Sequence, residues 1–299
     1  MRLGVVIPAH NAELYIEETL LSVVRQSVVE WSCVVVDDGS TDNTSQVVAR
    51  VAEFDGRFHL VRQKQLGVST ARNRGAAMLA PCDAIVFLDA DDLLTPNAFL
   101  RHRQALLRNP TAAASTGAVL LINEVGVEIG QAPTPQPGLI TLRQVFHQNP
   151  CPTASGYAFR TTAYVDAGGF QSVFWYGEDW LMAILASRRG GVVVTDDAVV
   201  RYRRHSGSVT SSDEANSRGH TALRDVRRFA YFDPSNTSAE RRAMRGGWRA
   251  HHLQRAREAG RRGDRATRYK HLVAVVVGRP AGRLHMNKVR GAGLEGISA

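Results

Sequence analysis

Cysteine is scarce in this chain. Cys33, Cys82 and Cys151 are odd in number and far apart, with no Cys-x-x-Cys pair, which excludes a disulfide framework and a thiolate zinc site and predicts reduced, partly buried thiols. Long apolar runs are missing as well. The run at residues 3–7 stops at Pro8, too short for the core of a signal peptide, and the run at 272–277 is far below a membrane span. The expectation is a cytoplasmic protein with no helix through a bilayer. No Gly-x-Gly-x-x-Gly turn follows the first apolar run, where Pro8-Ala9-His10-Asn11 stands instead, and this argues against a dehydrogenase.

What is present suits one sizeable α/β domain with an appendage, since 299 residues at 44% hydrophobic content can bury a large core. The net charge of +9 is unevenly spread. From Arg218 onward there are 19 Lys and Arg against 6 Asp and Glu, leaving 18 basic and 22 acidic residues before it. Such a split predicts different partners for the two parts. An anionic membrane surface, an acidic acceptor and a homodimer are the candidates for the basic tail. Nucleic acid is not, because aromatic residues are few there and no recognition motif occurs.

Short apolar strands alternate with helical periodicity. Residues 3–7, 33–36, 58–61 and 84–88 read as strands, and each ends in a polar loop. Ile16, Leu20, Val23 and Val24 mark a first helix, Val47, Val48, Val51 and Phe54 a second, and Gly67–Gly75 opens a third. Repeated βα units predict a mainly parallel doubly wound sheet with its ligand beyond the strands' C-terminal ends. A helix is expected to about Arg108, then strand at 112–122. Pro133, Pro135 and Pro137 predict an extended, mobile surface loop over 126–138. A returning strand at 157–160, a helix after Trp180, two last strands at 192–194 and 198–202, and helices beyond Arg218 complete the reading. Tyr269, Leu272, Val273 and Val276 form an amphipathic stripe there. The boundary is placed within 206–217, giving a domain at 1–212 and a helical appendage at 213–299.

The chemistry concentrates at Ile85-Val86-Phe87-Leu88-Asp89-Ala90-Asp91-Asp92, where a buried strand runs straight into three acids. Asp89 and Asp91 are two apart and project to one side of an extended chain, a spacing that suits a hard divalent cation bridging phosphate oxygens. A plain strand-to-helix turn with Thr95 as N-cap and Pro96 after it is the alternative. Glu178 and Asp179 at a helix start serve either the macrodipole or acid–base chemistry. Trp175 and Tyr176 just before them suit a sugar ring or the core.

Taken in order, Val6-Ile7-Pro8-Ala9-His10-Asn11, Val36-Asp37-Asp38-Gly39-Ser40-Thr41-Asp42, Gly67 through Gly75, Leu88 through Asp92, Glu178-Asp179 and the late His205 resemble an inverting glycosyltransferase of family 2 with the GT-A fold. The resemblance covers residues 3 to about 210. It implies a doubly wound mixed α/β sheet with a C-terminal helical appendage, and transfer of a sugar from a nucleoside diphosphate, UDP first, to an acceptor hydroxyl or amine. Pro8, Ala9, His10, Asn11, Asp38, Arg72, Asp89, Ala90 and Glu178 would bind the donor, with Pro8, Asn11 and Asp38 at the base and Asp89 at the ribose. Asp91 and His205 would hold Mn²⁺ or Mg²⁺, with Asp92 as a further acid, and Asp179 would be the catalytic base. Arg203 and Arg204 are placed to reach phosphate or to sit at the surface. The Gln-x-x-Arg-Trp run of processive members is absent, which implies one sugar per encounter. Two alternatives stay open: a non-catalytic nucleotide-sugar or glycan binder, and a sugar nucleotidyltransferase, although the latter normally opens with a glycine-rich basic loop.

Overall fold

Strand and helix alternate from the first residues of the computed structural model, which describes residues 1–207 and 213–277. Strands β1 (Leu3–Ala9), β2 (Trp31–Asp38), β3 (Phe58–Gln63) and β4 (Ala84–Phe87) are separated by helices α1 (Ile16–Val24), α2 (Thr44–Phe54) and α3 (Val68–Met78). Every residue of β1, β2 and β4 is buried, as a strand covered on both faces requires. They pair in parallel in the order β3-β2-β1-β4, with Leu3 opposite Trp31 and Ala9 opposite Asp37. Their C-terminal ends therefore lie along one edge, and the loops after β1, β2 and β4 meet there.

The second half adds β5 (Leu93–Leu94), α4 (Ala98–Arg108), β6 (Ala114–Ile122), β7 (Glu128–Gln131), β8 (Gly138–Ile140), α5 (Leu142–His147), β9 (Tyr157–Arg160), α6 (Thr161–Asp166), α7 (Glu178–Ala186) and β10 (Val192–Arg203). The sheet continues β4-β9-β6-β10-β5, with β9 antiparallel to both of its neighbours and β10 parallel to β6. The fold is thus a mixed α/β sheet. Helices α8 (Asp213–Phe232), α9 (Ser238–Arg261) and α10 (Arg265–Val277) follow. The proposed boundary at 212 and the tail at 278–299 lie outside the described residues.

Four local expectations need correction. Residues 126–138 are not an extended loop throughout, because β7 pairs antiparallel with β6 and leaves the three prolines in the connection to β8. All four β7 residues are exposed, so this is an edge strand, where period-2 alternation carries no core signal. The two expected last strands are one, β10, whose register shifts between Val194 and Ala198. Phe54 is exposed at the end of α2, so the buried stripe of that helix is Thr44, Val47 and Val48. The stripe on α10 is also exposed, with Tyr269 at 72% and Val276 at 81%, because α10 meets α9 through His271 against His252 instead.

One glycine fixes how α3 sits. A Cβ on Gly75 would stand 2.4 Å from Val6 Cγ1 and 3.1 Å from Val36 Cγ2, so its lack of a side chain lets the helix lie directly on β1 and β2. That contact carries Arg72, one turn earlier, to the sheet edge where the loops converge.

Candidate active site

A cleft of about 1250 Å³ opens beyond the ends of β1 and β4, and both Asp91 and Asp179 line it. The loop after β1 forms one wall. Pro8, His10 and Asn11 face the cleft, whereas Ala9 is sealed within β1 and does not. Asn11 adopts φ 49°, and its Oδ1 accepts the Thr41 N–H at 2.8 Å while its own N–H donates to Ser40 Oγ at 3.0 Å. The two loops are thereby held as one unit. His10 Nδ1 donates to the Asp38 carbonyl at 2.9 Å, which leaves Nε2 as acceptor for Gln65 at 3.1 Å.

Asp38 stands apart from the other expected donor residues. It is 4% exposed and does not line the cleft. Its carboxylate accepts Gln63 Nε2 at 2.7 Å and the backbone N–H groups of Leu66 and Gly67 at 2.8 Å each. Gly67 is the N-cap of α3, so these bonds satisfy donors at the entry to that helix.

Arg72 organises the centre. Only 3% exposed, it donates from Nη2 to Asp89 at 2.7 Å and from Nη1 to Glu178 at 2.9 Å, with its guanidinium 4.9 Å from the Phe170 ring centroid. Burial opposes its charge, but the two carboxylates prevail and raise its pKa. One buried cation thus ties the loop after β4 to the start of α7. Asn73, which sequence reasoning passed over, locks the turn beneath it: Nδ2 donates to the Phe170 carbonyl, and Oδ1 accepts both the Phe170 N–H and the Tyr164 hydroxyl.

The three acids after β4 divide their work. Asp92 is fully buried, accepting Ser155 Oγ at 2.6 Å and the Arg203 N–H at 2.9 Å. Burial and the charges of Asp91 and Asp89 push its carboxyl well up. Its partners place it as a structural acid that pins the loop. Asp91 faces the cleft and meets His205 Nε2 at 2.9 Å. Burial raises its carboxyl, Asp89 raises it further, and His205 opposes both. Arg203 corrects the sequence reading, since it is neither a phosphate ligand nor a surface charge. It is 1% exposed, with Nε on the Asp91 carbonyl, Nη1 on the Glu124 carbonyl and Nη2 on Glu18. It fixes the backbone that aims Asp91. Thr153 and Ser155, in a short polar turn, complete this support; nothing in their spacing marked them in the sequence.

The Asp91 and His205 pair fits a divalent cation in its chemistry. Asp91 supplies a carboxylate and His205 an imidazole, a set acceptable to Mn²⁺, and the Asp89 charge bears on Asp91 beside them. Among the described residues no cluster of three or more His, Cys, Asp or Glu could hold a metal.

Across the cleft, Gly177 sets the entry to α7 with φ 79°, and a Cβ there would stand 2.8 Å from Leu223 Cδ2. Gly177→Ala is therefore expected to destabilise the protein by about 1–2 kcal/mol through the left-handed conformation alone and to displace the acids that follow; a thermal melt matching the wild type contradicts this. Asp179 is 8% exposed, and its Oδ1 accepts the Trp180 N–H at 2.7 Å. Burial first and the Glu178 charge second push its carboxyl up to about 7, against Trp180 N–H and Arg72. Trp175 and Tyr176 also line the cleft, Trp175 being 53% exposed.

Residues 4–167 match the sequence family described as "Glycosyl transferase family 2". TuaG of Bacillus subtilis (strain 168), provisionally assigned as a teichuronic acid biosynthesis glycosyltransferase, is 32% identical over 122 residues, 40% of this chain and 48% of that protein. The chain spans about half or less of several other curated relatives, with 13% and 43% of two more glycosyltransferases covered. Among solved structures, S. aureus TarS 1-349 superposes with a TM-score of 0.63 at 18% identity, covering 93% of this chain and 80% of that one. Mannosyltransferase PcManGT from Pyrobaculum calidifontis, solved with GDP-Man and Mn2+, gives 0.62 at 21% identity, covering 95% and 76%. These two likenesses establish the GT-A fold.

Proposed function

The chain belongs to glycosyl transferase family 2, and from that premise we propose that it is an inverting, metal-dependent enzyme that moves one sugar per encounter from a nucleoside diphosphate to an acceptor hydroxyl or amine. The observation that carries the reading is the single cleft shared by Asp91, on the leaving-group side, and Asp179. UDP is the first candidate nucleotide. TarS has been solved with UDP-GlcNAc, while the mannosyltransferase carries GDP-Man, so the donor screen includes both bases.

The nucleotide rests against the wall of Pro8, His10 and Asn11, and Arg72 keeps Asp89 in place for the ribose. Asp91 and His205 would hold Mn²⁺ or Mg²⁺, which supplies positive charge to the diphosphate as it leaves. Asp179 Oδ1 is engaged by the Trp180 N–H, which leaves Oδ2 for the acceptor. The acceptor oxygen attacks the anomeric carbon from the face opposite the nucleotide. Its proton passes to Asp179 Oδ2 as the carbon–phosphate-oxygen bond breaks, so configuration inverts and a nucleoside diphosphate departs.

A screen of UDP-, dTDP- and GDP-sugars, reading nucleotide release with and without Mn²⁺, tests this. Release from at least one donor that depends on the cation is the expected outcome. Tight donor binding with no release under any condition contradicts it.

A further inference from the structure

The cleft is lined by groups of opposite charge: Asp89, Asp91, Glu178 and Asp179 from the loop after β4 and the start of α7, and Arg224, Arg227, Arg255 and Lys270 from α8–α10. Arg227 carries the most information. It is 7% exposed, with Nε on the Phe146 carbonyl at 3.2 Å, and Nη2 on the His147 carbonyl at 2.9 Å and facing His251 Nδ1 at 3.2 Å. Among the described residues, none of its ion-pair or hydrogen-bond partners is a carboxylate. Arg72, equally buried in the same cleft, has two. Burial alone brings Arg227 down to about 9, so it stays charged at neutral pH, and a buried charge left unpaired is costly.

A second observation points to a ligand in the same place. Trp248 lines the cleft at 7% exposure, and its buried Nε1–H has no hydrogen-bond partner; His252 Nε2, also facing the cleft, has none either. A buried donor without an acceptor, such as this indole N–H, is rare in finished structures, while the role of His252 Nε2 is set by the proton in the His252 Nδ1 to His271 Nδ1 contact. Burial and the surrounding cations hold His251 down to about 2 and His252 to about 4, so both rings stay neutral. Arg224 and Arg255 are exposed and lean on Asp225 and Glu258; Lys270 is exposed beside them. The cationic side chains from α8–α10 outnumber the one carboxylate, Glu258, that lines the cleft with them.

We propose that this basic lining of the cleft is an anion subsite for the acceptor, taking a phosphate or carboxylate group carried close to the hydroxyl that receives the sugar. The Arg227 guanidinium lies 4.3 Å from the centroid of the Trp180 ring, and Trp180 follows Asp179 directly. Arg227 and Asp179 line the same cleft, so an anion held on Arg227 shares that cavity with the base. The donor diphosphate is assigned to the acidic lining, where a cation balances it. The fitting acceptor is a soluble glycan or polyol that carries a phosphate or carboxylate group. This assignment rests on the transfer reaction proposed above.

The test titrates the full chain with glycerol 1-phosphate, with glycerol as control, and with UDP in parallel. The wild type is expected to bind glycerol 1-phosphate and not glycerol. Arg227→Gln should weaken that binding at least tenfold, and a double Arg255→Ala, Lys270→Ala variant, which changes only exposed side chains, at least threefold. UDP affinity should stay the same in both. Wild-type phosphate affinity in the double variant overturns the subsite whether or not Arg227→Gln folds. So does competition between UDP and glycerol 1-phosphate for one site. Binding of phosphatidylglycerol vesicles that Arg227→Gln abolishes, with no response to glycerol 1-phosphate, overturns the soluble-acceptor assignment in favour of a lipid headgroup. Loss of UDP binding in the wild type would count against the transfer reaction and leave the phosphate titration to stand by itself.

Discussion

Asp91→Asn is expected to lower kcat/KM for sugar transfer by about 10²–10³-fold, the size of effect seen when a group that stabilises leaving-group charge is removed. Asp91 is the one acid of the three after β4 that faces the cleft beside an imidazole, whereas the Asp92 carboxylate is taken up by Ser155 and the Arg203 N–H. The loss should appear in the Mn²⁺ titration as a shift of the activating concentration to higher values. His205→Ala should shift it in the same direction by about tenfold, as expected for a weaker ligand. Folding should not suffer, because the substitution relieves repulsion from Asp89 that raises the Asp91 carboxyl. An Asp91→Asn enzyme with an unchanged Mn²⁺ requirement would remove Asp91 from the metal role.

Asp179 produces opposite effects on activity and stability. Its carboxyl titrates near 7 in the fold and near 4 in an unfolded chain. As a base it must be ionised, so kcat/KM in the free enzyme should rise about tenfold per pH unit below 7 and level off above. For stability the sign is reversed. A folded pKa above the unfolded one means that the fold holds the proton more tightly, so this contribution is fully present below about pH 4. It is lost as pH rises through 7. Asp179→Asn removes the buried charge, and the variant should be more stable than the wild type at pH 8 by an amount on the order of 2–4 kcal/mol, the equivalent of about three pK units at most. The gap should close toward pH 4. Equal melting temperatures at pH 8 would show that the carboxylate is not desolvated.

The cleft lining contributed by the loops after β1 and β4 could be read largely from sequence because those residues sit in continuous runs. Buried strands end in loops, and a parallel sheet brings all those loop ends to one edge, so local patterning predicts a common location. Long-range ties were not legible. Arg72 reaches Glu178 across 106 positions, and Arg203 anchors Asp91 across 112. An arginine beside a loop histidine looks like surface charge until the fold encloses it. Asp38 shows the reverse case, since its motif was plain while its carboxylate turned out to be occupied by Gln63, Leu66 and Gly67. The basic lining of the cleft was hidden most completely. The tail's charge was visible, but nothing in its periodicity indicated that Arg227 and Trp248 face the same cavity as the acids.

The most direct measurement compares donor affinity and single-turnover transfer on one preparation of Asp179→Asn, with saturating Mn²⁺ and acceptor. Affinity for the nucleotide sugar should stay within about threefold of the wild type, while the transfer rate falls by about 10²–10⁴, the range for losing a positioned general base. Transfer within a factor of a few of the wild-type rate would mean that the acceptor's proton leaves by another route and that the shared cleft does not work as described.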